Sequence, residues 1–209
     1  MTVHIRLFIP GPTEVRPEVL QAMAQPMIGH RGRAFEDLFA RLQPRLRTLF
    51  ATASRVYIST SSGTGLWEAA SRNCVRDGQP ILHLVNGAFS ERWAQVSAAN
   101  GKRVVRYDVP WGQAIRPEQV AQALKADHYD AVALVHNETS TGVINPLAEI
   151  AAVVREHADT LLLVDAVSSL GGAPVDADGW GLDVCLISSQ KCLALPPGLS
   201  FAAVSDRAL

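Results

Sequence analysis

Residues 184–191 (VCLISSQK) decide the fold, because an apolar run of four residues leads directly into small polar residues and a lysine. Residues 161–164 (LLLV) lead in the same way into Asp165. Short apolar runs that end in polar residues are typical of strands buried on both faces of a sheet. The sequence therefore places Lys191 and Asp165 just past the ends of two predicted buried strands.

The same pattern extends through most of the chain, which alternates short apolar runs with segments of helical periodicity. Strands are predicted at 56–58, 81–85, 103–107, 131–135, 161–164, 184–187 and 199–204, and helices at 16–23, 34–50, 65–75, 89–99, 116–126 and 146–157. Strands that alternate with amphipathic helices indicate an α/β protein. We therefore expect a mostly parallel sheet with helices on both faces.

Composition narrows the class of protein. The 209 residues are 48% hydrophobic and 19% charged, which is typical of a globular chain with a substantial core. A net charge of −1 gives no electrostatic case for binding nucleic acid or an anionic membrane, and no apolar run is long enough to span one. Three cysteines without CxxC spacing predict neither a disulfide framework nor a metal site. We expect a cytoplasmic protein with no metal, nucleic-acid or membrane partner.

Polar and small residues follow the predicted strands. The segments concerned are 59–65 (STSSGTG), 86–89 (NGAF), 136–142 (HNETSTG), Asp165 and 188–191 (SSQK). Since the carboxyl ends of parallel strands meet at one edge of a sheet, these segments should lie together. The sequence therefore predicts a ligand site at that edge.

Lys191 and Asp165 suggest pyridoxal phosphate chemistry. A lysine among apolar residues has a lowered pKa, which favours a nucleophilic amine that can form a Schiff base. An aspartate can hold the pyridine nitrogen of the cofactor protonated. The sequence alone leaves the alternatives open: Lys191 is also compatible with a surface loop, and Asp165 with a helix cap or a turn.

Other residues at the predicted edge have two interpretations as well. Residues 62–65 (SGTG) begin a predicted helix, where free N–H groups can bind an anion, but the same residues are typical of an ordinary capped turn. Phe89 is suited to stack on a planar cofactor and Val167 to pack on its ring, yet both are also typical core residues. We expect Cys192, beside the lysine, to be a small buried filler.

In combination, these segments resemble the class V, fold-type I pyridoxal phosphate enzymes, and in particular the alanine–glyoxylate and serine–pyruvate aminotransferase group. The resemblance extends in order over nearly the whole chain. Its motifs are 10–12 (PGP), 30–31 (HR), 62–65 (SGTG), 86–89 (NGAF), 136–142 (HNETSTG), 164–172 (VDAVSSLGG), 188–191 (SSQK) and 196–198 (PPG). Two positions depart from the pattern, since Leu66 replaces a histidine of some relatives and Ser90 replaces a frequent glycine.

The resemblance implies a role for each matched position. Lys191 would form the Schiff base and carry a proton between the substrate and the cofactor, and Asp165 would pair with the pyridinium nitrogen. Gly11 would line the substrate pocket. The remaining implied cofactor contacts are the phosphate ligands Thr64, Gly65, Leu66 (through its backbone N–H) and Gln190, the ring-face contacts Phe89 and Val167, and Thr139 beside the ring hydroxyl.

The resemblance also implies an organisation and a reaction. Residues 1–35 would form an N-terminal arm at a dimer interface, and 36–209 a cofactor-binding large domain without the family's small C-terminal domain. The full-length homodimer would transfer an amino group from alanine or serine to glyoxylate or pyruvate. Two alternatives remain: a lyase or desulfurase of the same fold, although Phe89 stands where desulfurases have histidine, or a chain that is catalytically incompetent by itself. A nucleotide-binding protein is not favoured, because GxGxxG and Walker motifs are missing.

Overall fold

A computed structural model describes residues 5–209 as an alternation of helices and strands. The helices are α1 (Pro17–Met23), α2 (Arg33–Phe50), α3 (Gly63–Cys74), α4 (Ala88–Ala99), α5 (Pro117–Ala126), α6 (Leu147–Arg155) and α7 (Ala177–Trp180). The strands are β1 (Val56–Ser59), β2 (Pro80–Val85), β3 (Arg103–Asp108), β4 (Ala131–Val135), β5 (Asn137–Glu138), β6 (Val143–Ile144), β7 (Leu161–Asp165), β8 (Val184–Ser188) and β9 (Ser200–Val204).

Seven strands form one sheet in the order β1-β9-β8-β7-β4-β2-β3. The pairs β3–β2, β2–β4, β4–β7 and β7–β8 are parallel. Strand β9 is antiparallel to both of its neighbours, β8 and β1. Within residues 5–209, β9 is therefore the one strand of this sheet that runs against the others, and the prediction of a mostly parallel sheet is confirmed.

Both faces of the sheet are covered by helices. In β4, Val132 and Leu134 pack with buried residues of α2, α5 and α6, whereas Ala131, Ala133 and Val135 pack on the opposite face with α3 and α4. Successive side chains of a strand point to opposite faces, so a strand covered on both sides is apolar throughout. This explains why continuous apolar runs, rather than alternating ones, marked the central strands in the sequence.

The structure contains short elements that the sequence did not predict. Strands β5 and β6 pair as an antiparallel hairpin of two residues each, and α7 has four residues. Such elements are too short to show a hydrophobic period. Helix α2 begins at Arg33, so the predicted limit of the N-terminal arm at residue 35 lies inside its first turn. The division into an arm and a large domain remains a prediction.

Among the helices of the described residues, none combines the length and the apolar character needed to cross a membrane.

Candidate active site

A cavity lies at the carboxyl edge of the sheet, lined by residues from the starts of α3 and α4 and from the segments that follow β4, β7 and β8. The structure brings most of the predicted site residues to its wall: Thr64, Phe89, Thr139, Asp165, Val167, Gln190 and Lys191. Gly11, Gly65 and Leu66 do not line it. Trp67 lines it and was not predicted, whereas Asn137 and Ser188 line it from the predicted segments 136–142 and 188–191 but were given no role.

Asp165 is the last residue of β7, and only 4% of its surface is exposed. Its Oδ2 accepts a hydrogen bond from Nε1 of Trp67 at 2.7 Å, and its Oδ1 accepts one from the N–H of Val167 at 2.7 Å. Burial raises the pKa of Asp165 to about 6, while these two hydrogen bonds oppose the rise. A cation placed next to this carboxyl would therefore favour its ionised form.

Lys191 follows β8 and is covered by the N-terminal segment. Its Nζ donates a hydrogen bond to the carbonyl of Pro10 at 2.9 Å. Thr13 donates from its N–H to the Gln190 carbonyl at 3.0 Å and from Oγ1 to the Lys191 carbonyl at 3.1 Å. Burial lowers the pKa of Lys191, and the charge of Asp165 opposes this. A lowered pKa leaves more of the amine uncharged and able to attack a carbonyl.

The approach of Gly11 to Lys191 gives a testable consequence. Gly11 has φ +153°, and a Cβ there would lie 2.7 Å from Cδ of Lys191. We expect Gly11→Ala to lower the free energy of unfolding by about 2–4 kcal/mol, from backbone strain and overpacking together. Gly112→Ala is the control, since Gly112 has φ +89° but open space around it, so it should lose only about 1–2 kcal/mol. Equal losses in urea unfolding would contradict tight packing of Gly11 on the lysine.

The start of α3 offers groups that can bind an anion. Ser62 caps the helix, since its Oγ accepts a hydrogen bond from the Gly65 N–H at 3.3 Å. The N–H of Leu66, expected to help hold phosphate, donates instead to the Ser62 carbonyl at 3.2 Å. The first N–H groups of a helix have no partner within it. Thr64, which lines the cavity in the first turn, is therefore the residue best placed to bind an anion.

Phe89 is positioned by a buried carboxylate to which the sequence analysis gave no role. Glu138 is 0% exposed and accepts hydrogen bonds from the N–H groups of Phe89 (3.3 Å) and Ser90 (3.0 Å), which begin α4. The hydroxyls of Ser90 (3.0 Å) and Ser140 (2.7 Å) also donate to it. A Cβ at Gly87 would overlap Glu138, so glycine is needed there. This cap places Phe89 at the cavity wall with 36% of its surface exposed.

Replacing Glu138 tests this cap. Glu138→Gln turns one acceptor oxygen into an NH₂ group that faces N–H donors. We expect a loss of about 2–4 kcal/mol in the free energy of unfolding. Glu91→Gln is the control: Glu91 lies on α4 itself, partly exposed and 3.5 Å from Arg106, so its loss should stay below about 1 kcal/mol. Denaturant unfolding measures both, and similar losses would show that Glu138 is not the cap described.

Thr139 and Ser168 join the cavity to a neighbouring one. Their hydroxyls form a hydrogen bond of 2.6 Å, and both residues line both cavities. Pro10, Thr13 and Cys192 line the second cavity.

The prediction that Cys192 is a buried filler was wrong: it is exposed, and its Sγ donates to the Ser168 carbonyl at 3.6 Å. The chain leaves the sheet in a turn after Lys191, which places Cys192 at the surface.

The residues present fit pyridoxal phosphate. Asp165 provides a buried carboxylate for a protonated ring nitrogen, and Lys191 an amine for an aldehyde. Phe89 exposes part of an aromatic ring for a planar ligand, and Thr64 lies at a helix start suited to phosphate. In residues 5–209 no three His, Cys, Asp or Glu side chains come together as a metal site would need.

Comparison with known proteins agrees with this fit. Residues 5–209 match the family described as Aminotransferase class-V. An uncharacterized aminotransferase of Methanocaldococcus jannaschii is 45% identical over 97% of this chain and 52% of its own length. A serine–glyoxylate aminotransferase of Methylorubrum extorquens is 37% identical over 97% of this chain and 52% of its own. The crystal structure of an alanine–glyoxylate aminotransferase from Nostoc sp. superimposes with a TM-score of 0.94 at 38% identity, over 100% of this chain and 55% of that one.

The fold and the site thus define a class, and the chain belongs to the class V aminotransferase family. It spans about half the length of the curated relatives that it matches.

Proposed function

We propose that this chain is the cofactor-binding part of a pyridoxal phosphate-dependent aminotransferase. The observation that carries the proposal is the meeting of Lys191, Asp165 and the start of α3 at one cavity. When bound, the cofactor supplies an electron sink for chemistry at the α-carbon of an amino acid.

The residues of this chain divide the work around that group. Asp165 would hold a proton on the ring nitrogen through its buried carboxylate, and Nζ of Lys191 would take a proton from the substrate α-carbon and return it. Phe89 and Val167 would pack against the ring and exclude water from it. Thr64, the start of α3 and Gln190 would bind phosphate, and Thr139 would orient the ring hydroxyl.

We propose a small amino acid as donor, of the alanine or serine type, and glyoxylate or pyruvate as acceptor. The support is that two similar proteins, from Methylorubrum extorquens and Nostoc sp., are named serine–glyoxylate and alanine–glyoxylate aminotransferases. The segment around Gly11, which packs on Lys191, would form one wall of the substrate site.

The test is a half-reaction followed by steady-state turnover. Alanine or serine added to the chain loaded with pyridoxal phosphate should remove the absorption band of the bound cofactor and release the matching 2-oxo acid. Steady-state transamination by the 209 residues alone should be weak, about a thousandfold below that of a chain with the length of the relatives, because these residues span about half of that length and would orient the substrate incompletely. Robust turnover by the 209 residues would contradict that expectation. A band that alanine and serine both leave unchanged would refute the proposed activity.

We also propose that the full-length protein is a homodimer in which the N-terminal arm, described from residue 5 to residue 35, contributes to the interface. The support is the exposed apolar residues of this segment, including Ile5 (79%), Phe8 (92%) and Met27 (96%). Contiguous exposed apolar surface marks interaction sites. Sedimentation equilibrium of the full-length protein decides the assembly state.

We also propose that the protein is located in a reducing cytoplasm, on the basis of the three free cysteines.

A further inference from the structure

Trp67 donates a hydrogen bond to Asp165 but has no role in the proposed function. Trp67 lies in the first turns of α3 and is 3% exposed. Its Nε1–H donates to Oδ2 of Asp165 at 2.7 Å, and Val167 donates to the other oxygen. Each oxygen of the carboxylate keeps acceptor capacity for a further partner. The indole can therefore orient this carboxylate without competing with a ring nitrogen for it.

Trp67 is itself held from two directions. Its ring stacks on that of Trp93, with centroids 5.8 Å apart and planes inclined by 14°. Its carbonyl accepts a hydrogen bond from Oγ of Ser71 at 2.8 Å. Oγ of Ser71 lies 2.7 Å from Oγ of Ser97, which lies 2.9 Å from Nε2 of His83. The centroid of the His83 ring lies 5.8 Å from that of the Trp93 ring, with the two planes inclined by 74°, and this contact closes the cluster.

This cluster is buried and joins three elements. Trp93, Ser71, Ser97 and His83 are 0–1% exposed and come from α4, α3 and β2. Burial lowers the pKa of His83 to about 3, so its ring is uncharged at neutral pH. An uncharged and fully packed support leaves the indole little rotational freedom.

Resting on the proposed function, we propose that Trp67 is a positioning residue for the cofactor: its indole N–H fixes the Asp165 carboxylate and favours the ionised state that pairs with a protonated ring nitrogen. Other titratable residues lie near this carboxylate. The charge of Lys191 lowers the pKa of Asp165, and that of Glu138 raises it. Asp165 in turn raises the pKa of the Cys185 thiol of β8, and the backbone N–H of His136 donates to the backbone carbonyl of Asp165.

The first test compares two buried indoles. Trp67→Phe removes the N–H and keeps an aromatic ring in the stack. Trp93→Phe is the matched control, because Nε1 of Trp93 has no hydrogen-bond partner among the described residues. At pH 6–7 we expect the dissociation constant for pyridoxal phosphate to rise about tenfold in Trp67→Phe and less than about twofold in Trp93→Phe. The increase for Trp67→Phe should shrink above pH 8, where Asp165 is ionised in either chain.

Equal effects of the two substitutions, or a Trp67→Phe effect that does not vary with pH, would reduce Trp67 to a packing residue and overturn the proposal.

A second test needs no cofactor and separates this inference from the proposed function. The chain has four tryptophans, and proton–nitrogen correlation spectra resolve their indole N–H groups. The Trp67 resonance, identified by its loss in Trp67→Phe, should titrate with a midpoint near the Asp165 pKa of about 6. Asp165→Asn should abolish that titration, and the Trp93 resonance should not show it. A Trp67 resonance that is indifferent to pH and to Asp165→Asn would overturn the proposal. Absence of cofactor binding by the native chain would refute only the proposed function.

Discussion

Lys191→Ala is expected to abolish the absorption band that forms when pyridoxal phosphate binds, and to lower transamination by an extended chain at least about a thousandfold. The substitution removes the one amine that lines the cavity wall among residues 5–209. It also removes the group proposed to carry the proton, and proton transfer by a positioned side chain contributes about a hundred- to ten-thousandfold to a rate. Absorption titration and a coupled assay for the 2-oxo acid measure the two effects.

The control for Lys191 is Lys125→Ala. Lys125 is exposed on α5, away from the residues that line the cavity, so the band and the activity should stay at the native level. A band of native intensity in Lys191→Ala would show that another residue binds the cofactor. Loss of the band in both variants would point to a general defect in folding, which circular dichroism would reveal.

Asp165→Asn is expected to weaken cofactor binding about a hundredfold or more. Asparagine keeps the size of the side chain but removes the charge that would face a protonated ring nitrogen, and an unpaired buried charge costs about 3–5 kcal/mol. The variant Asp176→Asn is a control, because Asp176 caps the short helix α7 and does not line the cavity. Equal affinities of Asp165→Asn and native chain would exclude the proposed pairing.

The same substitution reveals a pH-dependent stability in the chain without cofactor. The pKa of Asp165 is about 6 in the folded chain, above its usual 3.8, so between these values the folded state holds a proton that the unfolded state releases. Rising pH therefore favours unfolding. We expect the free energy of unfolding of the native chain, relative to Asp165→Asn, to fall by about 2 kcal/mol from pH 4 to pH 7. The difference between the two chains removes contributions that the substitution leaves unchanged. A constant or rising difference in urea unfolding would contradict the raised pKa.

The predicted ligand site depended on one geometric rule, that the carboxyl ends of parallel strands meet at one edge of a sheet. This rule explains both the success of the prediction and its limits. Asp165 is the last residue of β7 and Lys191 follows β8. Because these strands are neighbours in the sheet, the approach of the two residues followed from the strand ends alone. Thr64 and Phe89 came to the same cavity because they begin the helices that follow β1 and β2. The phosphate contact of Leu66 was implied by the resemblance and not by this rule, and in the structure the Leu66 N–H is bonded to the Ser62 carbonyl.

Two functional residues could not be recognised because their partners are distant in sequence. Trp67 is of a residue type typical of a core, and the acceptor of its N–H is distant in sequence, on β7. Glu138 is typical of a solvated loop by residue type, yet it is fully buried and caps α4. The small residues Gly87, Ser90 and Ser140 were the only signal that could have indicated a buried acceptor near this turn.

The direction of strand β9 could also not be predicted from the sequence pattern. The apolar run of β9 predicts a buried strand, and periodicity carries no information about polarity or neighbours. The structure places β9 between β8 and β1, with Val56 beside Ala203 and Val184 beside Val204.

That placement of β9 has a consequence for biosynthesis. Among the described residues, strand β1 pairs only with β9, so segments far apart in the sequence must meet before β1 is hydrogen-bonded into the sheet. Contacts so distant in sequence form late in folding, because closing a long loop costs entropy before any pairing is gained. On the ribosome, α3 therefore stays unanchored at β1 until residues 200–204 have emerged, and we expect the proposed capture of cofactor only after that point.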